Sequence, residues 1–249
     1  MPDLQISDPT IAEDGSQNAS SGDAFPRQRR FLALGLVLSI SFVHFIASSL
    51  YYLLGGAAPN RADQHTFRLI GGLISEITAL LLLWYILSEQ KRSWRDIGWN
   101  PGWKDIPRGI GLLVLGLVAA TFTSIVFELF YGLSTGHYLQ KRSIDALFGF
   151  GISALSVAFV ILNPFFEELI VRAYTMSEIL ELGGSRTLAI ILSVALQMSY
   201  HLYQGLLSGL ALTGIFTVFS IYFSRTRRIA PIILAHFCFD AYALFRGHF

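Results

Sequence analysis

Two adjacent acids, Glu167 and Glu168, stand inside an otherwise apolar run, Phe165-Phe166-Glu167-Glu168-Leu169-Ile170-Val171-Arg172. Further along, His201 closes one apolar stretch, and His236 stands within the last one with Asp240 four residues on. Ionisable side chains at bilayer depth are costly, so each is a functional hypothesis by default. Glu168 and Arg172 are spaced i, i+4 and can pair on one helix face. Glu167 points about 100° away from Glu168 on the same helix, so the pairing neutralises Glu168 and leaves Glu167 free to exchange a proton as a general base. His236 and Asp240 likewise share a face. Asn163 and Pro164 suit the cap and the first position of a helix, so the spacing predicts a helix starting there with both acids near its N-terminus.

The known intramembrane proteolytic chemistries sort quickly against this inventory. His-Glu-x-x-His on one helix, the common zinc-protease arrangement, is absent. Gly-x-Ser-x-Gly is absent too, because Gly205-Leu206-Leu207-Ser208-Gly209 has the wrong spacing. An aspartyl mechanism needs two aspartates, and only Asp240 lies plainly inside an apolar run. What remains is a glutamate with two histidines drawn from separate helices. Other polar residues in the runs, His44, Glu76 and Glu128, read as interhelical hydrogen-bonding groups, with Glu76 deep enough to approach the site. Cys238 has no partner for an intramolecular disulfide and reads as a small core residue.

The elements that must position these groups are membrane helices. Of 249 residues, 53% are hydrophobic and 14% charged, with mean hydropathy +0.54. Soluble domains carry about 25% charged residues, so this chain is matched to a bilayer. A core of ~30 Å takes ~20 apolar residues as helix, and lipid offers no partner to unpaired backbone groups. Candidate spans fall at 31–54, 66–87, 108–131, 146–162, 165–182, 187–203, 206–224 and 229–246. The fold class is therefore all-α, a polytopic helical bundle of about eight transmembrane helices around a polar site. A net charge of +1 and the lack of a dense basic stripe argue against nucleic acid as a partner.

Residues 1–30 are rich in Ser, Asp, Gly, Asn and Gln, and the composition predicts a disordered polar tail. Residues 31–249 then form a single membrane-embedded domain. The connection 88–107 combines four basic residues with Trp94, Trp99 and Trp103, which predicts a short amphipathic piece lying on one membrane face. With these spans, an N-terminus on the inner side puts Arg27, Arg29, Arg30, Lys91, Arg92, Arg95, Lys104, Arg108 and Arg246 inside. It leaves Arg61, Arg68, Lys141, Arg142, Arg186, Arg225, Arg227 and Arg228 outside. The first half favours an inner, cytoplasmic N-terminus, and the Arg225–Arg228 cluster opposes it. Short loops and the lack of a secretory signal fit a bacterial cytoplasmic membrane.

The polar residues resemble the CPBP (Abi) intramembrane proteases, which include the type II CAAX prenyl endopeptidases. That family shows Glu-Glu-x-x-x-Arg, Phe-x-x-x-His and His-x-x-x-Asn/Asp on successive membrane helices. Here Glu167–Arg172 matches the first in full, and His236-Phe237-Cys238-Phe239-Asp240 matches the third in its Asp form. The second is Gln197-Met198-Ser199-Tyr200-His201, with Gln197 in place of the phenylalanine. The resemblance covers roughly 65–246 and is strongest from 145 onward. It implies a membrane-embedded endopeptidase in which Glu167 and His201 activate water, His236 and Asp240 stabilise the oxyanion or hold the site, and Glu168 and Arg172 support it. A carboxylate cannot donate to an oxyanion as Asn can, so Asp240 is expected instead to orient His236 through its ring N–H. Glu167, His201 and His236 could form a three-ligand site for zinc or another divalent metal; equally, the same groups could act without metal. The expected substrate is a membrane-associated or lipidated peptide or protein. The rival reading is a non-catalytic binding or scaffold protein, or one conferring immunity to a peptide toxin.

Overall fold

Backbone groups in lipid must bond within their own segment, and the chain answers with helices throughout. The computed structural model describes residues 25–55, 62–136 and 152–246. Helices α1 (Arg27–Leu53), α2 (Ala62–Glu89) and α3 (Asp105–Thr135) follow the first three predicted spans. They are followed by α4 (Ala154–Glu181), α5 (Arg186–His201), α6 (Leu206–Thr226) and α7 (Ala230–Arg246). No strand occurs among the described residues. Five helices, α1, α2 (from Thr66), α3, α4 and α6, are long and apolar enough to cross a membrane, and α7 is a shorter apolar helix. The protein is an all-helical integral membrane protein.

Two spans predicted separately, 146–162 and 165–182, meet in one helix. Residues 146–151 lie outside the described residues; from Ala154 to Glu181 the helix is continuous. Its N-cap is Ser153, which accepts a hydrogen bond from the Ser156 N–H, and not Asn163. Pro164 lies inside the helix rather than at its start. Proline removes one backbone bond, yet membrane helices tolerate it where neighbours and local adjustment re-satisfy the freed groups. Beyond it the helix continues as a π-helical stretch, Glu168–Tyr174, and the Thr175 hydroxyl just after that stretch donates to the Ile170 carbonyl at 2.7 Å.

Merging those spans reverses the direction of every later helix, and the ion pairs record it. Glu178, near the end of α4, is fully buried and pairs with Arg30 at 3.1 Å and with Arg92. Arg27 Nη2 donates to the Leu182 carbonyl at 3.0 Å. Arg227, after α6, donates to the Ser177 hydroxyl at 2.6 Å, and Arg228 donates to Asp105 at 2.7 Å. The start of α1, the α2–α3 connection, the α4–α5 turn and the α6–α7 turn thus share one end of the bundle. Arg27, Arg29, Arg30, Lys91, Arg92, Arg95, Lys104, Arg108, Arg186, Arg225, Arg227 and Arg228 all belong to that end. Arg186 and the Arg225–Arg228 cluster, expected on the side opposite the N-terminus, lie beside it, and Arg246 ends α7 away from it.

The expected amphipathic piece at 88–107 is instead a run of turns between α2 and α3, stitched into that end. The Ile229 N–H donates to the Gly98 carbonyl at 3.1 Å. Gly98 has φ +99° and a Cβ there would meet the Arg227 carbonyl at 2.4 Å, so backbone lies against backbone. Trp94 and Trp99 pack against the core, whereas Trp103 is exposed. The residues predicted as a tail also divide: Arg27–Arg30 form the first turn of α1, and 1–24 lie outside the described residues.

Packing follows the membrane rule of small residues where helices approach closely. At Gly214 on α6 an added Cβ would meet the Ala119 carbonyl of α3 at 2.5 Å. Thr123 of α3 donates to the Ala211 carbonyl of α6 at 2.7 Å beside it. The outward faces of α1, α2 and α3 stay rich in exposed apolar residues such as Leu81, Val118 and Leu129, as a lipid-facing surface requires. The polar groups are gathered on α4, α5 and α7.

Candidate active site

The two adjacent acids face different helices. Glu167 is turned toward α5 and accepts hydrogen bonds on one oxygen, Oε2, from Gln197 Nε2 at 2.9 Å and from the Tyr200 hydroxyl at 2.8 Å. Both partners are neutral, and Glu167 keeps only a sliver of exposure, 6%. Glu168 is turned toward α7 and is fully buried. One of its oxygens takes a hydrogen bond from Arg172, the pairing expected from the spacing, and the other lies 2.7 Å from His236 Nδ1. The divergence of the pair is what helix geometry implies for consecutive residues.

Arg172 is the largest fully buried side chain among the described residues. Its guanidinium also lies over the rings of Phe219 and Phe216 of α6, 5.3 Å and 5.9 Å from their centroids. Its Nε and Nη2 have no hydrogen-bond acceptor among the described residues.

The orientation of each histidine follows from its partner. His201 Nδ1 lies 2.8 Å from the Gln197 carbonyl, and a carbonyl can only accept. The ring proton is therefore on Nδ1, and Nε2 carries the free lone pair. The His201 ring is walled by Tyr200, Tyr203 and Phe216, and it lies within electrostatic reach of Glu167 and His236. For His236 the orienting carboxylate is Glu168 through Nδ1. Asp240, expected in that role, stands 3.6 Å from Nε2, beyond a good hydrogen bond. Asp240 instead accepts from Asn163 Nδ2 at 3.1 Å. The structure thus brings Glu167, Glu168, Arg172, His201, His236 and Asp240 into one neighbourhood.

Sequence reasoning left Tyr200, Gln197 and Asn163 outside the site. Gln197 precedes His201 by four residues and so shares its helix face, which is the spacing that could have found it. Glu76 of α2 is fully buried, with neither carboxyl oxygen bonded among the described residues, and it feels the charges of Glu167, Asp240 and His236. His44 does take an interhelical contact, 3.4 Å from the Ser75 hydroxyl.

Among the described residues no three His, Cys, Asp or Glu side chains gather as a ligand group. No step below passes through a metal.

Residues 149–242 match the family model described as type II CAAX prenyl endopeptidase Rce1-like. Over that segment the chain is similar to the type II CAAX prenyl endopeptidases. Every site residue on α4, α5 and α7 falls within the matched segment. At family level the match supports a CAAX-protease-like membrane endopeptidase. No curated protein and no solved structure matches the chain.

Proposed function

We propose that this protein is a CPBP-type intramembrane endopeptidase that hydrolyses a peptide bond near the carboxyl end of a lipidated or membrane-inserted substrate, with water activated by Glu167 and His201. The observation that carries the reading is Glu167 itself. Its carboxylate is held by neutral donors rather than neutralised by a cation, and it stands beside His201, whose Nε2 lone pair is free. In the reaction water oxygen bonds to the scissile carbonyl carbon while Glu167 takes one water proton. The tetrahedral intermediate collapses with cleavage of the C–N bond. The proton on Glu167 passes to the departing nitrogen, giving an amine and a carboxylic acid, whose own proton then passes to the amine to leave a carboxylate and an ammonium. His201 Nε2 accepts a hydrogen bond from the attacking water and fixes its direction. His236, held by Glu168, and Asp240, held by Asn163, form the α7 side of the site.

The placement of all these groups on membrane helices supports a substrate that reaches them from the bilayer. The twelve basic residues gathered at one end support a cytoplasmic N-terminus by the positive-inside rule. The test is cleavage of a peptide library by detergent-purified wild type, Glu167→Ala and His201→Ala, each with and without chelator. Both variants are expected to insert and fold but not to cleave. Cleavage by purified Glu167→Ala at the wild-type rate overturns the proposal. An unchanged cellular phenotype in a Glu167→Ala/His201→Ala protein supports the rival, a scaffold that cuts nothing.

A further inference from the structure

Gln197 stands where the family resemblance leads one to expect phenylalanine, and it is the least expected residue of the site. A fully buried carboxamide in a membrane helix is costly unless its hydrogen bonds are used. Gln197 is fully buried, and its Nε2 makes one directed bond, to Glu167 Oε2 at 2.9 Å. Tyr200, three residues on and on the same face, adds its hydroxyl to that same oxygen at 2.8 Å. Oε1 lies outside both bonds.

From this we infer that Gln197 and Tyr200 are positioning residues that grip Glu167 by Oε2 and leave Oε1 as the oxygen that takes the proton from water. The inference rests on the endopeptidase reading and adds which carboxylate oxygen reacts and what aims it. Two donors converging on one oxygen fix both the rotation of the carboxylate and the side on which its remaining lone pairs face.

The grip is itself supported from outside. Phe42 of α1 stacks on the Tyr200 ring at 4.9 Å with an interplanar angle of 11°. Ser49 of α1 donates to the Tyr200 carbonyl at 2.5 Å. Gln197 extends the same device to the second catalytic group, because its backbone carbonyl holds the Nδ1 proton of His201. One residue therefore sets the carboxylate with its side chain and the imidazole with its main chain. Phenylalanine at 197 would keep the main-chain contact and lose the side-chain one, which leaves Tyr200 as the sole grip.

Tyr200→Phe removes one hydroxyl and keeps the ring stacked on Phe42, so it tests the grip with little risk to folding. Gln197→Met keeps a flexible side chain of similar length and removes the donor. Each is expected to lower kcat by roughly tenfold and the pair by about a hundredfold, the scale on which misplacing a reacting group acts, with KM within twofold of wild type. A readout independent of turnover is the infrared carboxylate band of Glu167, isolated as the difference between wild type and Glu167→Gln. That band is expected to shift in Tyr200→Phe and in Gln197→Met. If wild type cleaves, Glu167→Gln does not, and both variants keep kcat within twofold with the band unmoved, the grip is refuted and the endopeptidase reading stands. If wild type cleaves nothing while the band still shifts, the endopeptidase reading fails and takes the catalytic part of this inference with it.

Discussion

Replacing Arg172 with methionine tests the core of the site without touching Glu167. Both Arg172 and Glu168 have fully buried side chains, so the substitution strands a carboxylate away from water. Removing one partner of such a pair costs about 3–5 kcal/mol. The guanidinium also leaves the rings of Phe216 and Phe219, a loss of about 0.5–2 kcal/mol. Against this, Glu168 keeps its hydrogen bond to His236, and methionine refills much of the apolar volume. These offsets place the net effect near the lower bound, about 3 kcal/mol. For a chain of this size that corresponds to a fall in midpoint of roughly 6–12 °C. The measurement is thermal unfolding in detergent, followed by intrinsic fluorescence and by loss of monodispersity. The decisive comparison is the double variant Glu168→Gln/Arg172→Met, which removes the stranded charge along with its partner. The double variant should recover at least half of the single variant's loss, giving a coupling well above the ~0.5 kcal/mol expected of independent sites. A single variant within 2 °C of wild type refutes the reasoning, as does a double variant no more stable than the single.

Two further perturbations probe the scaffold. Gly214→Leu puts a side chain where the Ala119 carbonyl is 2.5 Å and the Thr123 hydroxyl 2.8 Å from a Cβ. It should therefore force α3 from α6 and abolish the monodisperse peak on size exclusion, while Gly111→Ala, with nothing within 4 Å, should leave it intact. Glu178→Gln removes the shared anion of Arg30 and Arg92 at a cost of about 3 kcal/mol. Trypsin should then cut after Arg92 and Arg95 at least several-fold faster than in wild type, and an unchanged rate counts against the idea that this pair holds the α2–α3 connection in place.

The site was more legible than the scaffold around it, for a physical reason. Spacing within one helix is written directly in the chain, so the Glu168–Arg172 pairing and the outward turn of Glu167 followed from residue numbers alone. Which partner a group finds on another helix is a tertiary fact. His236 has a carboxylate four residues away on its own face, Asp240, and another from α4, Glu168. Only the packing of α4 against α7 decides that Glu168 takes the ring proton and that Asp240 goes to Asn163. Gln197 was visible as a departure from the family pattern, but its purpose depends on where Glu167 points across the α4–α5 interface.

The helix boundary expected at Asn163-Pro164 is absent, and its absence carried its own correction. Asn followed by Pro marks a helix start where water can take over the unpaired backbone groups. At bilayer depth no water is available, and the cheaper solution is to continue the helix through the proline. Splitting α4 there reversed every later helix and sent Arg186 and the Arg225–Arg228 cluster to the wrong end. The anomaly in the charge count was thus the footprint of one false helix boundary. With α4 continuous, the arginines after α6 return to the end that holds Arg27 and Arg30, and Glu168 and Arg172 lie against each other within that one helix.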